Sequence, residues 1–266
     1  MITIRELSSK SQLPKIDTRV LLSLITGFNH AQLISRDDST ITDKQLHLYN
    51  DYYARAISGE PIAYIVGKKE FFGREFIVNK HTLIPRPETE LLVEEVITLA
   101  PQNGTLLDLG TGSGCIAISC KLERQDLTVT AIDKDINTLE TAKKNAGILN
   151  SKICLLESNW FEKISGKFDI IVSNPPYIEK NDIHMAKLQH EPIHALTDFA
   201  DGTSCIEYII RNCIEHMNDG AHIIIEHGYN QGKKVRDLLT NAGLHKIITK
   251  LDYAKLERYT IACYKI

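Results

Sequence analysis

The sequence predicts an α/β protein: a Rossmann-like, doubly wound domain with a seven-stranded sheet, preceded by a smaller helical domain. Three observations predict it. From residue 88 onward, short Ile/Val/Leu-rich runs alternate with amphipathic stretches, as expected of parallel strands covered on both faces. The first of those runs leads directly into a glycine-rich turn, the usual opening of a nucleoside-binding crossover. In the first 68 residues, by contrast, apolar residues recur at helical spacing and no alternating strand pattern competes.

Taken in order, Leu21, Leu22, Leu24 and Ile25 form one apolar cluster, and Leu46, Leu48, Tyr49, Tyr52, Tyr53 and Ile57 form another. Thr42 with Gln45 reads as a capping box that opens the second helix, and Gly59 and Pro61 stop it. Lys69–Val78 places Gly73 between two short aromatic and β-branched runs, which predicts a hairpin. Ile84-Pro85-Arg86-Pro87 then resets the chain before a helix starting near Glu88. The predicted organisation is a helical domain over 1–68, a hairpin linker over 69–85 and the α/β domain over 86–266. Strands are predicted at Thr105–Leu109, Thr128–Asp133, Ile153–Glu157, Asp169–Ser173, His222–Glu226, Lys246–Asp252 and Arg258–Tyr264. The last two have no helix between them, which predicts an antiparallel hairpin at the sheet edge.

Composition narrows the function. Of 266 residues, 43% are hydrophobic and 24% charged, an ordinary globular balance. A net charge of −3 argues against a protein that grips nucleic acid mainly by neutralising phosphates. The helical segment is nearly neutral, so no direct nucleic-acid binding is expected. The six cysteines form no C-x-x-C pair, and none stands at metal-ligand spacing with a histidine. Reduced thiols in the cytoplasm are expected, and no metal. Pro192 within His190-Glu-Pro-Ile-His194 breaks the helix that would put both imidazoles on one face. The start MITIRELSSK is too polar for a secretory signal. No run approaches the roughly 20 apolar residues needed to cross a bilayer. A monomeric protein with no membrane association is expected.

The chemistry is concentrated in two motifs. The first predicted strand runs into Asp108-Leu-Gly110-Thr111-Gly112-Ser113-Gly114 and then into the helix-compatible Cys115–Leu122. Glycines let the backbone turn tightly and approach a ligand without a Cβ in the way, and the helix start beyond them offers free N–H groups. Asp133 closes the second strand, where an acidic side chain can accept both ribose hydroxyls of a nucleoside. A nicotinamide enzyme would share that much. The G-x-G-x-G spacing and the acidic Asp108 before the loop favour S-adenosylmethionine, whose ammonium and sulfonium replace a pyrophosphate. Trp160, after the third strand, stands where an adenine ring would lie.

The fourth strand ends Ser173-Asn174-Pro175-Pro176-Tyr177, beside the glycine loop if the sheet is doubly wound. The prolines stiffen the strand exit and aim the Asn174 side chain and a backbone carbonyl one way. An amide or exocyclic amine nitrogen is a poor nucleophile because its lone pair is delocalised. The Asn174 side-chain oxygen and the Pro175 carbonyl can accept its two N–H bonds and favour pyramidalisation. Tyr177 can stack on the acceptor's planar face and favour the nearby sulfonium. The motif reads as methyl transfer to a planar –NH2 group. An N6-adenine or N4-cytosine nucleic-acid methyltransferase is the main alternative to a protein amide, but it should show a basic cleft or a reading domain.

Gly59–Tyr64, Glu70–Gly73, Ile84–Glu90, Asp108–Gly114, Asn174–Tyr177 and Glu226–Gly228 together make the chain resemble the release-factor N(5)-glutamine methyltransferases, the HemK-like group, over nearly its whole length. The resemblance implies a class I methyltransferase fold, an N-terminal helical domain that helps recognise substrate, and S-adenosyl-L-methionine as cofactor, with S-adenosyl-L-homocysteine as product. It implies peptide chain release factors as partners, methylated on the glutamine of their Gly-Gly-Gln loop, which would modulate translation termination. Carried over by position, Gly110, Gly112, Gly114, Asp133, Trp160 and Asn174 would contact the cofactor. Thr111, Ser113 and Asp108 belong to the same loop. Asn174, Pro175, Pro176 and Tyr177 would hold the glutamine amide. Three positions depart from the family pattern. Asn159 replaces an aspartate, so a hydrogen bond from the adenine amino group must use its amide oxygen. His190 replaces an aromatic, and Phe199-Ala200 replaces a glycine pair.

Overall fold

The computed structural model describes residues 2–183, 185 and 188–265, and the chain divides into two compact units, Met1–Lys68 and Lys69–Ile266. The first unit is helical: α1 (Ile4–Lys10), α2 (Lys15–Thr26), α3 (His30–Ser35), α4 (Asp43–Ile57) and α5 (Ile62–Val66). Reciprocal capping boxes start three of them, Thr3 with Glu6, Asn29 with Gln32, and the expected Thr42 with Gln45. Its core gathers Leu21, Leu22, Ile25, Leu33, Tyr49 and Ile65. Leu24 and Ile57, expected in that core, are 39% and 49% exposed. Positions 21, 22 and 25 share one face of α2 and position 24 falls off it, while Ile57 is the last residue of α4.

β1 (Lys68–Phe71), which begins at the boundary between the units, and β2 (Arg74–Ile77) form the expected hairpin. Its two-residue turn has φ of 50° at Phe72 and 70° at Gly73, the primed geometry that matches strand twist. Phe71 and Phe76 meet edge to face at 6.0 Å and are buried. The hairpin does not run free. The Asn145 carboxamide on α8 (Ile136–Ile148) accepts from the Ile77 N–H at 2.7 Å and donates to the Ile77 carbonyl at 3.0 Å.

The remaining elements are α6 (Glu90–Leu99), β3 (Thr105–Leu109), α7 (Cys115–Glu123), β4 (Thr128–Asp133), α8, β5 (Cys154–Glu157), β6 (Phe168–Ser173), α9 (Ile193–Leu196), α10 (Ser204–Cys213), β7 (Met217–Glu226), α11 (Gly232–Asn241), β8 (His245–Leu251) and β9 (Glu257–Cys263). The sheet order is β5-β4-β3-β6-β7-β9-β8. All pairs from β5 to β7 are parallel, and β9 runs antiparallel to both β7 and β8. Both faces are covered: Leu106, Ile170, Val172 and Ile224 lie in one apolar layer, and Leu107, Leu109, Ile171, Ile223 and Ile225 in the other. That explains why these strands read as continuous apolar runs. β7 starts at Met217, five residues before the expected His222. Its opening, Asn218-Asp-Gly220, looks like a turn in sequence; the ladder with β6 shifts register there, and Gly220 takes φ of 79°. Among the described residues no helix is long and apolar enough to cross a membrane.

Candidate functional site

The order β5-β4-β3-β6 reverses direction beside β3, and the ends of β3, β4 and β6 open into a cleft. Its floor is the glycine loop. The N–H groups of Gly110 and Thr111 both donate to the Ile132 carbonyl, at 3.0 and 2.8 Å, which pins the loop to the end of β4. Gly110, Gly112 and Gly114 have φ of 75°, 59° and 83°, in the left-handed region that penalises any Cβ. A Cβ on Gly114 would lie 2.8 Å from Ile118 Cδ1, so this glycine also lets α7 pack closely.

Asp133 stands in the cleft wall. Its carboxylate accepts the Gly112 N–H and the Asp135 N–H, both at 3.1 Å. Burial raises its pKa, and those two N–H groups oppose the shift. Trp160 also lines the cleft, its ring 3.7 Å from where a Gly110 Cβ would be. The Trp160 backbone is left-handed, φ 49°, and the Ser158 hydroxyl donates to its carbonyl at 2.8 Å. Asn159 Nδ2 donates to Glu162 at 2.6 Å, which commits the nitrogen end of that amide and leaves its oxygen for the cleft.

Asp108, expected at the cofactor, does not line the cleft. It is fully buried below the loop, where the Thr111 hydroxyl donates to Oδ2 at 2.6 Å, and Oδ1 has no hydrogen-bond partner among the described residues. Burial pushes this carboxyl up to about 7, against the Thr111 hydroxyl and the Ala117 N–H, which pull it down. Its placement follows the strand's period of two: Leu107 and Leu109 face one layer, so Asp108 turns to the layer that α7 covers. Gly114, Pro175 and Tyr177 also stand back from the cleft surface, whereas Gly110, Thr111, Gly112, Ser113, Asp133, Asn159, Trp160, Asn174 and Pro176 line it.

At the exit of β6, Ser173 Oγ donates to the Leu109 carbonyl at 2.8 Å and ties the exit to β3. Asn174 Nδ2 donates to Thr89 Oγ1 at 3.2 Å, and Thr89 Oγ1 donates to Glu226 Oε2 at 2.8 Å. The Tyr177 hydroxyl donates to the other oxygen, Glu226 Oε1, at 3.1 Å. Glu226 ends β7 and is 1% exposed. Burial pushes it up to about 7, and the Thr89 and Tyr177 hydroxyls and Arg258 pull it down. Burial and the charge of Glu226 together push the Tyr177 phenol well up. The Tyr177 carbonyl accepts from Gln231 Nε2 at 2.9 Å.

Thr89 and Glu226 were not singled out as site residues from sequence, although both fall in runs that carry the family resemblance. His227 is structural: it is buried, with Nδ1 to the Gly228 carbonyl and Nε2 to Thr260, each at 2.9 Å, and burial lowers its pKa. On the cleft rim, Arg86 donates to Glu191, which also takes the Ile84 N–H at 3.1 Å. His194 lines the cleft 4.0 Å from Asp135, and His190 Nε2 is buried without a partner among the described residues. Phe199 is half exposed with φ of 62°. Asp198 fastens that turn by accepting from the N–H groups of Ala200, Gly202 and Ser204.

With this geometry in hand, residues 3–67 match the PrmC N-terminal domain family and residues 87–198 the methyltransferase small domain family. The chain is 41% identical to the release factor glutamine methyltransferase of Neisseria gonorrhoeae, over 99% of this chain and 98% of that one. It is 36% identical to that of Escherichia coli strain K12, over 96% and 94%. Among solved structures, a methyltransferase from Pyrococcus furiosus superimposes with a TM-score of 0.58 at 19% identity, covering 82% of this chain and all of the other. A Thermus thermophilus 16S rRNA N2 G1207 methyltransferase bound to AdoMet and guanosine gives 0.53 at 17%, covering 74% of this chain and 50% of that one. At those identities the likeness is one of fold.

Proposed function

The chain belongs to the release factor glutamine methyltransferase family, and we propose that its cleft binds S-adenosylmethionine and that Asn174 presents the acceptor glutamine to it. The residues present fit the cofactor. Asp133 offers carboxylate oxygens beside the Gly112 backbone for the ribose hydroxyls. Trp160 offers an aromatic wall, the Asn159 oxygen suits the adenine amino group, and the cradle over Gly110–Gly114 is one that side chains would fill. When bound, S-adenosylmethionine supplies an electrophilic methyl group on a sulfonium.

The observation that carries the reading is the Asn174–Thr89 hydrogen bond. It commits the nitrogen end of the Asn174 amide, so Oδ1 is the atom left to receive a substrate N–H. With the Pro175 carbonyl it accepts both N–H bonds of the glutamine carboxamide and holds the nitrogen lone pair toward the cleft. Transfer would break the methyl's C–S bond as the C–N bond forms, and the positive charge arriving on that nitrogen would raise its N–H acidity enough that no strong base is needed. Acceptors on a proline-stiffened strand exit lose little freedom when substrate binds, and such positioning accounts for about 7–11 kcal/mol in favourable cases. Tyr177, held by Glu226, flanks the acceptor.

We assign as substrate the glutamine of the Gly-Gly-Gln loop in peptide chain release factors. The test is incubation with radiolabelled S-adenosylmethionine and, separately, purified release factor and adenine-containing DNA. Label on the release factor, lost when that glutamine is replaced, is the expected outcome. Label on DNA alone would move the substrate to an exocyclic base amine while leaving the chemistry of Asn174 in place.

A further inference from the structure

Asparagine has a weakness as an acceptor. Its carboxamide is nearly symmetric in shape, so a half-turn about χ2 exchanges Oδ1 for Nδ2 at little steric cost. A turned amide would present N–H to an N–H and repel the substrate. Something must therefore choose the orientation, and packing cannot.

The choice is made two residues away. Thr89 has one hydroxyl hydrogen, and its 2.8 Å bond to Glu226 Oε2 takes it. A carboxylate can only accept, so the Thr89 oxygen is left as an acceptor on the side facing Asn174. Only Nδ2 satisfies it, at 3.2 Å. The same carboxylate accepts the Tyr177 hydroxyl on Oε1 at 3.1 Å, which fixes the phenol that flanks the acceptor amide. Neither Glu226 oxygen has a reason to be exposed; the side chain is 1% accessible at the end of a central strand.

We propose that Glu226 is a positioning residue for methyl transfer: as a carboxylate it sets the direction of the Glu226–Thr89–Asn174 hydrogen-bond relay and so keeps Asn174 Oδ1 turned to the glutamine amide. The inference rests on the reading of Asn174 given above. It adds a requirement that the reading does not contain, namely that Glu226 carry its charge during turnover. Charged and titratable groups facing it are Glu88 from the turn before α6, Tyr177 from the β6 exit, Arg258 from β9 and Cys115 from α7. Arg258 favours the carboxylate, and Glu88 opposes it. Burial outweighs Arg258 and raises the carboxyl to about 7, so protonation falls within reach of neutral solution. A protonated Glu226 can donate to Thr89, freeing the Thr89 hydrogen to seek Asn174 Oδ1 and turn the amide.

The test compares wild type, Glu226→Gln, Thr89→Ser and Thr89→Val in steady-state methylation of release factor from pH 5.5 to 9 (roughly one and a half to two pH units either side of the raised value), with thermal unfolding and S-adenosylhomocysteine affinity measured on each. Glutamine keeps the shape but must turn one end into a donor. The expected result is a kcat lowered about 100-fold, the cost of a misplaced reacting group, with the S-adenosylmethionine KM and the homocysteine-product affinity unchanged. Wild-type kcat should fall as pH drops through about 7, and Glu226→Gln should lack that limb. Thr89→Ser, which keeps the hydroxyl, should retain kcat, and Thr89→Val should lose it. An active wild type with Glu226→Gln at equal kcat, or with the acidic limb intact in Glu226→Gln, overturns the inference. So does a loss shared by Thr89→Ser and Thr89→Val that follows the unfolding temperature. A wild type that labels no release factor overturns the underlying reading instead.

Discussion

The Tyr177 carbonyl occupies the space that a side chain on Gly202 would need. A Cβ built on Gly202 falls well inside contact distance of that oxygen and 2.9 Å from Gln231 Nε2, and Gly202 has φ of 77°. Gln231 Nε2 donates to both carbonyls, Tyr177 at 2.9 Å and Gly202 at 3.1 Å, so the three residues form one joint behind the acceptor motif. Gly202→Ala must strain the backbone and displace Tyr177 together. The expected cost is about 1–3 kcal/mol of stability, with a fall in kcat larger than the fall in cofactor affinity. Thermal unfolding and steady-state kinetics on the one variant check both.

Asn174→Ala removes the acceptor oxygen and leaves the cradle intact. Turnover should fall by about 10²–10³, the range for loss of one preorganised hydrogen-bonding group, while equilibrium binding of S-adenosylhomocysteine weakens much less. A variant that methylates release factor at the normal rate would sink the mechanism.

Asp133→Ala should show the opposite pattern. The carboxylate organises Gly112 and Asp135 and faces the cleft. Loss of a hydrogen bond to a charged group is worth about 1.5–3 kcal/mol, so cofactor Kd should rise about 10- to 100-fold with kcat at saturation little changed. Calorimetric titration reads it directly, and unchanged affinity would remove Asp133 from the ribose site.

Asp108 gives a pH signature in the free protein. Its folded pKa, about 7, lies above the ordinary carboxylate value of 3.8. The native state therefore holds more protons than the unfolded chain between those values. The associated stability is present in full below the ordinary value and lost as pH rises through about 7. Asp108→Asn lacks this group, so its unfolding temperature relative to wild type should increase from pH 5 to pH 8 (a span of about three units that brackets the folded value). A difference that stays flat across that range would show the carboxyl to be unshifted.

Much of the fold is written locally. β3 and β4 begin and end where the Ile/Val/Leu runs do, and the Thr42–Gln45 box opens α4 as its spacing requires. The glycine loop, Asp133 and Asn174 stand out in sequence because each is a residue type placed at the end of a recognisable strand, and the structure brings them to one cleft. Thr89 and Glu226 are not. They stand 85 residues before and 52 residues after Asn174, with the two themselves separated by 137 positions, and only the sheet order brings them together. Nothing in a threonine at a helix start or a glutamate at a strand end announces that pairing. Asp108 shows the reverse: its residue type drew it toward the ligand, and the alternation of β3 turned it beneath the loop.

The placement of β9 has a consequence for how the sheet comes into being. The strand inserts between β7 and β8, so β8 has no other neighbour and β7 has none on that side. Until residues 257–263 have been synthesised, β8 has nothing to pair with, and the end of β7 that carries Glu226 shows an open row of backbone donors and acceptors to any passing chain. A nascent polypeptide that stalls before Glu257 is therefore an aggregation hazard, however well its first 250 or so residues have folded. β9 thus covers the edge of the strand that ends in Glu226.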